Sequence, residues 1–172
     1  MLSLILDAQA TETLTALRTA YFPAHRNHLN AHITLFHALP PSEQLFTLLE
    51  STLKDTKQFN IGLGDPFLFK NETGVALNLK SFKAIKLHEE LSNALYYARV
   101  NLTEQDSRQM RSLHVTVCNK EKPEKAKDIM KEVQGKMEQL KKDMPVVKGL
   151  GVKAWEYLPD ASWKPIKEYL FK

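Results

Sequence analysis

Short apolar runs and amphipathic stretches take turns along the chain, and the order in which they do so is used twice. LSLILDA at the start predicts a strand that ends at Asp7, a helix-start residue. Over TETLTALRTAYF, Leu14, Leu17 and Tyr21 recur at helical spacing until Pro23, and AHRNHLN reads as a polar loop. AHITLFHAL is a strand stopped by Pro40 and Pro41. SEQLFTLLESTLKD is a helix with Ser42 as N-cap and Leu45, Leu48, Leu49 and Leu53 on one face. FNIGLGD and FLFK predict two short strands.

The remainder repeats this order. GVALNLK predicts a strand, and SFKAIKLHEELSNALYYA a helix with Leu87, Leu91 and Leu95 in register. RSLHVTVCN is again a strand, and KPEKAKDIMKEVQGKMEQLKKD a helix that turns Ala126, Ile129, Met130, Val133, Met137 and Leu140 to a core. PVVKGLGVKAWEYL and WKPIKEYLF close the chain as strands joined by a turn at PDAS. Identity between the halves is weak, so this is repetition of architecture and not a short-period solenoid. The expected fold is α+β: two pseudo-symmetric lobes, each a mostly antiparallel sheet flanked by helices, with a groove between them. We expect one bilobal domain over residues 1–172, with approximate halves 1–72 and 73–172.

Each half contains one strand of the form His-x-Thr followed by an apolar residue, at His32/Thr34 and His114/Thr116, with the two histidines 82 residues apart. Given six histidines and the threonine content, chance supplies about 0.4 His-x-Thr pairs, and about 0.07 once both neighbouring positions must be hydrophobic. Residues i and i+2 share a face of a strand. His32, Thr34 and Phe36 are therefore expected on one face, and His114, Thr116 and Cys118 on the corresponding one. Two such faces meeting across a groove suit displacement at phosphorus. One imidazole takes a proton from the attacking water or hydroxyl, the other protonates the departing oxygen, and the threonine hydroxyls donate to the non-bridging oxygens. Imidazole fits both tasks because its ordinary pKa of about 6.5 lets both forms exist near neutrality.

At these residues the chain resembles the 2H phosphoesterase superfamily, and more closely its short bacterial members, the 2′-5′ RNA ligase family. AHITLFHALP, LTEQDSRQMRSLHVTVCNK and WEYLPDASWKPIKEYLF carry the resemblance. It implies His32 and His114 as the acid/base pair and Thr34 and Thr116 as phosphate-oxygen donors. Implied activities are hydrolysis of 2′,3′-cyclic phosphate ends of RNA or of cyclic nucleotides and, in some members, reversible 2′-5′ joining of RNA ends. The substrate partners are RNA ends or nucleotide phosphoesters. Many relatives have Arg-Pro before the second histidine, where this chain has Ser112-Leu113 after Arg111. We assign His32 as acid and His114 as base, an order that pseudo-symmetry leaves reversible.

Further residues have two readings each. Phe36 stacks on a base or fills the core. Lys120, on the parity of His114, reaches a phosphate or is a solvated strand end. Trp155 and Tyr157 wall the groove or pack inside. His25, His28 and His37 cluster near the first motif, but their irregular spacing and the lack of cysteine or acidic partners argue against a metal. We expect no metal and no cofactor. A net charge of +4 admits a polyanionic ligand without requiring one. The single Cys118 excludes an internal disulfide, the opening residues lack the make-up of a signal peptide, and no run spans a bilayer. A cytoplasmic monomer is the expectation. Two rival readings stand beside the enzyme: a module that grips an RNA end or phosphate without chemistry, and an interaction protein carrying remnant motifs.

Overall fold

A computed structural model describes residues 1–160 and 162–172. The elements run β1 (Leu2–Leu6), α1 (Ala8–Tyr21), β2 (Ile33–Phe36), α2 (Glu43–Leu53), β3 (Phe59–Leu68), β4 (Val75–Lys80), α3 (Phe82–Tyr97), β5 (Leu113–Cys118), α4 (Pro123–Asp143), β6 (Val147–Tyr157) and β7 (Trp163–Leu170). A single 3-10 turn, Ala24–Arg26, interrupts the loop after α1. The expected turn at PDAS contains Ala161, which lies outside the described residues.

The helix starts follow their local chemistry. Asp7 accepts from the Ala10 N–H at 2.9 Å, Ser42 from Leu45 at 3.1 Å and Ser81 from Ala84 at 3.3 Å, each satisfying a donor the helix itself cannot. Helix α4 begins on Pro123, where the missing N–H costs nothing. Leu45, Leu49 and Leu53 of α2, and Leu87, Leu91 and Leu95 of α3, are buried on the faces their spacing predicts.

All strand pairings are antiparallel, in the order β2-β1-β6-β3-β4-β5, with β7 on the flank of β6. Strands are exchanged between the repeats. β3 of the first pairs with β4 of the second, and β6 of the second pairs with β1 of the first. The stretch expected as two short strands is one strand, β3, with an irregularity between Leu63 and Pro66. Pro66 has no N–H to give the ladder, so the pairing shifts there while the chain continues extended. Although β2 and β5 stand at opposite ends of the hydrogen-bond order, their Cα atoms come within 8 Å of each other.

Arg18 fastens this approach. It projects from α1 and is 7% exposed; its Nη1 donates to the Thr116 carbonyl at 2.8 Å and its Nε to Asn27 Oδ1 at 2.9 Å. Its guanidinium lies 3.8 Å from the centre of the Phe22 ring, and burial brings its pKa down to about 10. One side chain thereby ties the loop before the first motif to the strand of the second.

Two consequences are measurable. A Cβ at Gly151 would stand 2.4 Å from the Tyr169 carbonyl oxygen, between β6 and β7. Gly151→Ala should lower urea stability by about 1–3 kcal/mol, whereas Gly135→Ala, in open space on α4, should raise it by about 0.5–1 kcal/mol. Arg18→Met leaves the Thr116 carbonyl and the Asn27 amide oxygen without their donor, and should cost about 1–3 kcal/mol in the same measurement.

Candidate active site

The register around each motif explains how the strands present chemistry on one face and apolar bulk on the other. Ser3 pairs with Thr34, but the next residue of β1, Leu2, pairs with Phe36, so Leu35 is an extra residue: a β-bulge. Leu2 and Ser3 point to opposite faces, and their partners follow them. Phe36 is therefore turned away from Thr34 into the core, where it is wholly buried and stacked on His88 at 4.6 Å. The second motif repeats the device. Ala76 pairs with Thr116 and Val75 with Cys118, making Val117 the extra residue, and Cys118 is wholly buried.

Simple alternation placed Phe36 beside Thr34 and Cys118 beside Thr116, and both placements are corrected by these bulges. Phe36 offers no open face to a base. Lys120 also falls outside the expected pattern, because β5 ends at Cys118 and Lys120 sits at φ 57°, so strand parity does not extend to it. Its N–H is folded back onto Asn119 Oδ1 at 2.8 Å.

What remains on the groove face converges. Thr34 and His114, from β2 and β5, line a single cavity of about 160 Å³ together with His37, His88, Asp106 and Ser112. His32 lies just before β2, half-buried, with its Nδ1 2.8 Å from the Asn30 carbonyl oxygen. That oxygen only accepts, so Nδ1 carries the proton and Nε2 is the nitrogen left open to accept. Burial pushes the His32 pKa down; the Asn30 contact opposes this, and the charges of Arg18, His37 and His114 add to the lowering. His114 opens to solvent on one side. The rings of Phe67 and Phe69 stand edge-on 6.1 and 6.0 Å from it, and desolvation followed by the charge on His37 lowers its pKa too. Thr116, half-buried, is two residues beyond His114 on the same strand. The Thr34 hydroxyl faces the soft Met1 sulfur at 3.9 Å, a weak acceptor that leaves it ready for a better one.

Three residues of this region went unassigned in the sequence. Asp106 is 3% exposed, in the loop between α3 and β5. Its Oδ1 accepts from the His37 N–H at 2.7 Å and its Oδ2 from the Ala38 N–H at 2.8 Å, which fixes the chain as it leaves β2. Burial pushes this carboxyl up, but those N–H donors and the His37 ring outweigh it and hold the pKa below the ordinary value. His37 places Nδ1 3.3 Å from Asp106 Oδ1, with Gln105 Nε2 3.1 Å from its Nε2, and lines the same cavity as Thr34 and His114. Arg18 completes the set. Their interactions are long-range in sequence, although His37 and Asp106 lie inside AHITLFHALP and LTEQDSRQMRSLHVTVCNK, two of the segments that carry the resemblance.

Trp155 and Tyr157 follow β6 onto the same side. Thr34, Ser3 and Lys153 are matched across β2, β1 and β6, and Trp155 lies two residues past Lys153, its Nε1 donating to Ser3 Oγ at 2.8 Å. Trp155 shares one hollow with His32 and Asn30, and another with Tyr157 and His37. Among the described residues no group of three His, Cys, Asp or Glu side chains is placed to hold a metal ion, and no helix is long and apolar enough to cross a membrane.

Comparison with known proteins agrees with this architecture. Crystal structures of a phosphoesterase (TM-score 0.60, 15% identity) and of TT0787 of Thermus thermophilus (0.62, 12%) each align with 99% of this chain, covering 95% and 96% of their own. E. coli LigT complexed with 3′-AMP does so with a TM-score of 0.60 and 14% identity, over 99% of this chain and 95% of its own. At such identities these likenesses speak for the fold. No curated protein sequence matches the chain. The sequence model of the 2′-5′ RNA ligase superfamily matches residues 6–147, most of the chain and both motifs. With its fold and its matched sequence in agreement, this chain belongs to the 2′-5′ RNA ligase superfamily, a group of phosphoesterases and ligases.

Proposed function

We propose that the chain hydrolyses 2′,3′-cyclic phosphates, at RNA ends or on nucleotides, through acid–base work by His32 and His114. The observation that supports this reading is convergence: β2 and β5 come together so that Thr34 and His114 line one cavity, and His32 stands immediately before β2, two residues from Thr34. His114, open to solvent on one side and edged by the Phe67 and Phe69 rings, takes the proton of a water as its oxygen attacks phosphorus. One of the two ring P–O bonds breaks, and His32 Nε2 gives its proton to the departing ribose oxygen. The Thr34 and Thr116 hydroxyls donate to the non-bridging oxygens, where negative charge accumulates. With the 5′-hydroxyl of a second RNA end in place of water, the same displacement makes a 2′-5′ linkage, and its reverse breaks one.

Electrostatics suits this division. Both imidazoles have lowered pKa values in the free protein, so the base is ready in its neutral form near neutrality. The acid needs a proton, and the arriving phosphate supplies the reason to hold one, since its negative charge raises the pKa of a neighbouring imidazole. A module that only grips phosphate would keep the binding and lack turnover.

Activity must fall at low pH as the base protonates and at high pH as the acid loses its proton. With both pKa values below about 6.5 in the free protein, kcat/KM for a nucleoside 2′,3′-cyclic phosphate should be bell-shaped, with its maximum on the acid side of 6.5. The kcat profile should move to higher pH. His32→Ala and His114→Ala should each lower kcat by about 100-fold or more while circular dichroism shows the fold retained. Undiminished turnover in folded His114→Ala removes the proposal.

A further inference from the structure

The motif cavity has a wall that neither His-x-Thr strand supplies. The loop between α3 and β5 contributes Gln105, Asp106, Arg108, Gln109, Met110 and Ser112 to it. Hydrogen bonds fix the backbone of this wall. Thr103 Oγ1 accepts from the Asp106 N–H at 3.2 Å, and the Thr103 carbonyl accepts from the Ser107 N–H at 2.9 Å. Asp106 in turn accepts from the His37 and Ala38 N–H groups as the chain leaves β2. The Arg108 backbone, two residues on, is thereby held in place beside β2 while its long side chain stays free to turn.

Among the described residues lining the cavity, Arg108 alone is positively charged at any working pH. Asp106 brings a buried negative charge, which opposes an arriving anion. His88 and His114 do not offset it near neutrality, because burial lowers both pKa values and favours the neutral rings. The buried Arg18 guanidinium is already committed to the Thr116 carbonyl and Asn27. The Thr34 and Thr116 hydroxyls offer hydrogen bonds but no net charge. Displacement at phosphorus nevertheless gathers negative charge on the non-bridging oxygens.

In the free protein Arg108 Nη2 donates to Glu104 Oε1, four residues earlier. The two side chains are 71% and 87% exposed, and an ion pair so open to water is weak. Phosphate oxygens match the planar fork of a guanidinium and take two of its N–H donors at once. Glu104 therefore holds the arginine loosely beside the cavity and yields it to a better acceptor.

We propose that Arg108 is a catalytic residue of this site: as substrate enters, its guanidinium leaves Glu104 and donates to the non-bridging oxygens of the phosphoryl group between the motifs. It transfers no proton; His32 and His114 keep the acid–base work. The inference rests on the phosphoesterase reading and adds the cation that the two motifs lack.

The test is steady-state kinetics on a nucleoside 2′,3′-cyclic phosphate. Arg108→Gln should lower kcat/KM by about 100-fold, mostly in kcat, with the melting temperature unchanged because the side chain is exposed. Arg108→Lys keeps a charge without the fork and should recover part of the loss. Guanidinium chloride, below denaturing concentration, should restore turnover to Arg108→Ala where equal sodium chloride does not. Glu104→Gln should lower KM in the wild type and change nothing in Arg108→Gln. Wild-type turnover in Arg108→Gln overturns the proposal and leaves the phosphoesterase reading intact. An equal effect of Glu104→Gln in both backgrounds overturns the exchange of partners. If the wild type turns over no 2′,3′-cyclic phosphate, the phosphoesterase reading fails, and binding of inorganic phosphate, read by NMR from the His114 ring, decides Arg108 alone. A Kd about 10-fold weaker in Arg108→Gln keeps it as the phosphate-holding cation; an equal Kd overturns it.

Discussion

The arrangement depends on one extra residue in each motif strand. A strand that alternated strictly would turn His, Thr and the second residue beyond Thr to the same side, leaving bulky Phe36 and buried Cys118 in the groove. The bulges at Leu35 and Val117 reverse the alternation one step after each threonine. The polar pair faces the groove, and the next apolar side chain returns to the core. The bulge falls at the same place in both motif strands, opposite Leu2/Ser3 and Val75/Ala76.

Convergence of the two strands is a separate matter from their presentation. β2 and β5 do not hydrogen-bond to each other; they end a path that runs through four other strands, with β3 and β6 exchanged between repeats. Such a path gives no direct bond to fix the distance between the histidines. Arg18 supplies a short one, from α1 to the Thr116 carbonyl and to Asn27 in the loop before His32. Its charge also lies near enough to His32 to help keep that imidazole neutral. A single buried guanidinium thus contributes to the geometry and to the electrostatics of the pair.

Much of this was legible in the chain. The helices and caps at Asp7 and Ser42, the buried leucine stripes and the succession of elements all follow from periodicity and from turn residues, which act over a few positions. The two His-x-Thr strands were legible because the same short pattern recurs in matching surroundings. What escaped depends on partners far away in sequence. Phe36 and Cys118 were misplaced because a bulge is set by the neighbouring strand's register. Arg18 and Asp106 received no assignment, because their partners are backbone groups 98 and 69 residues away. Pro66 stands between the two short strands expected, and the structure carries β3 through it with a shift in register.

The central claim is that both histidines face a single phosphorus. It is tested most directly by NMR titration of the imidazole nitrogens of His32 and His114 while a nucleoside 2′-monophosphate is added. One anion lying between the two rings must raise both pKa values together, with one common Kd. If only one imidazole responds, or if the two respond with different Kd values, the histidines do not share a phosphate and the account is contradicted.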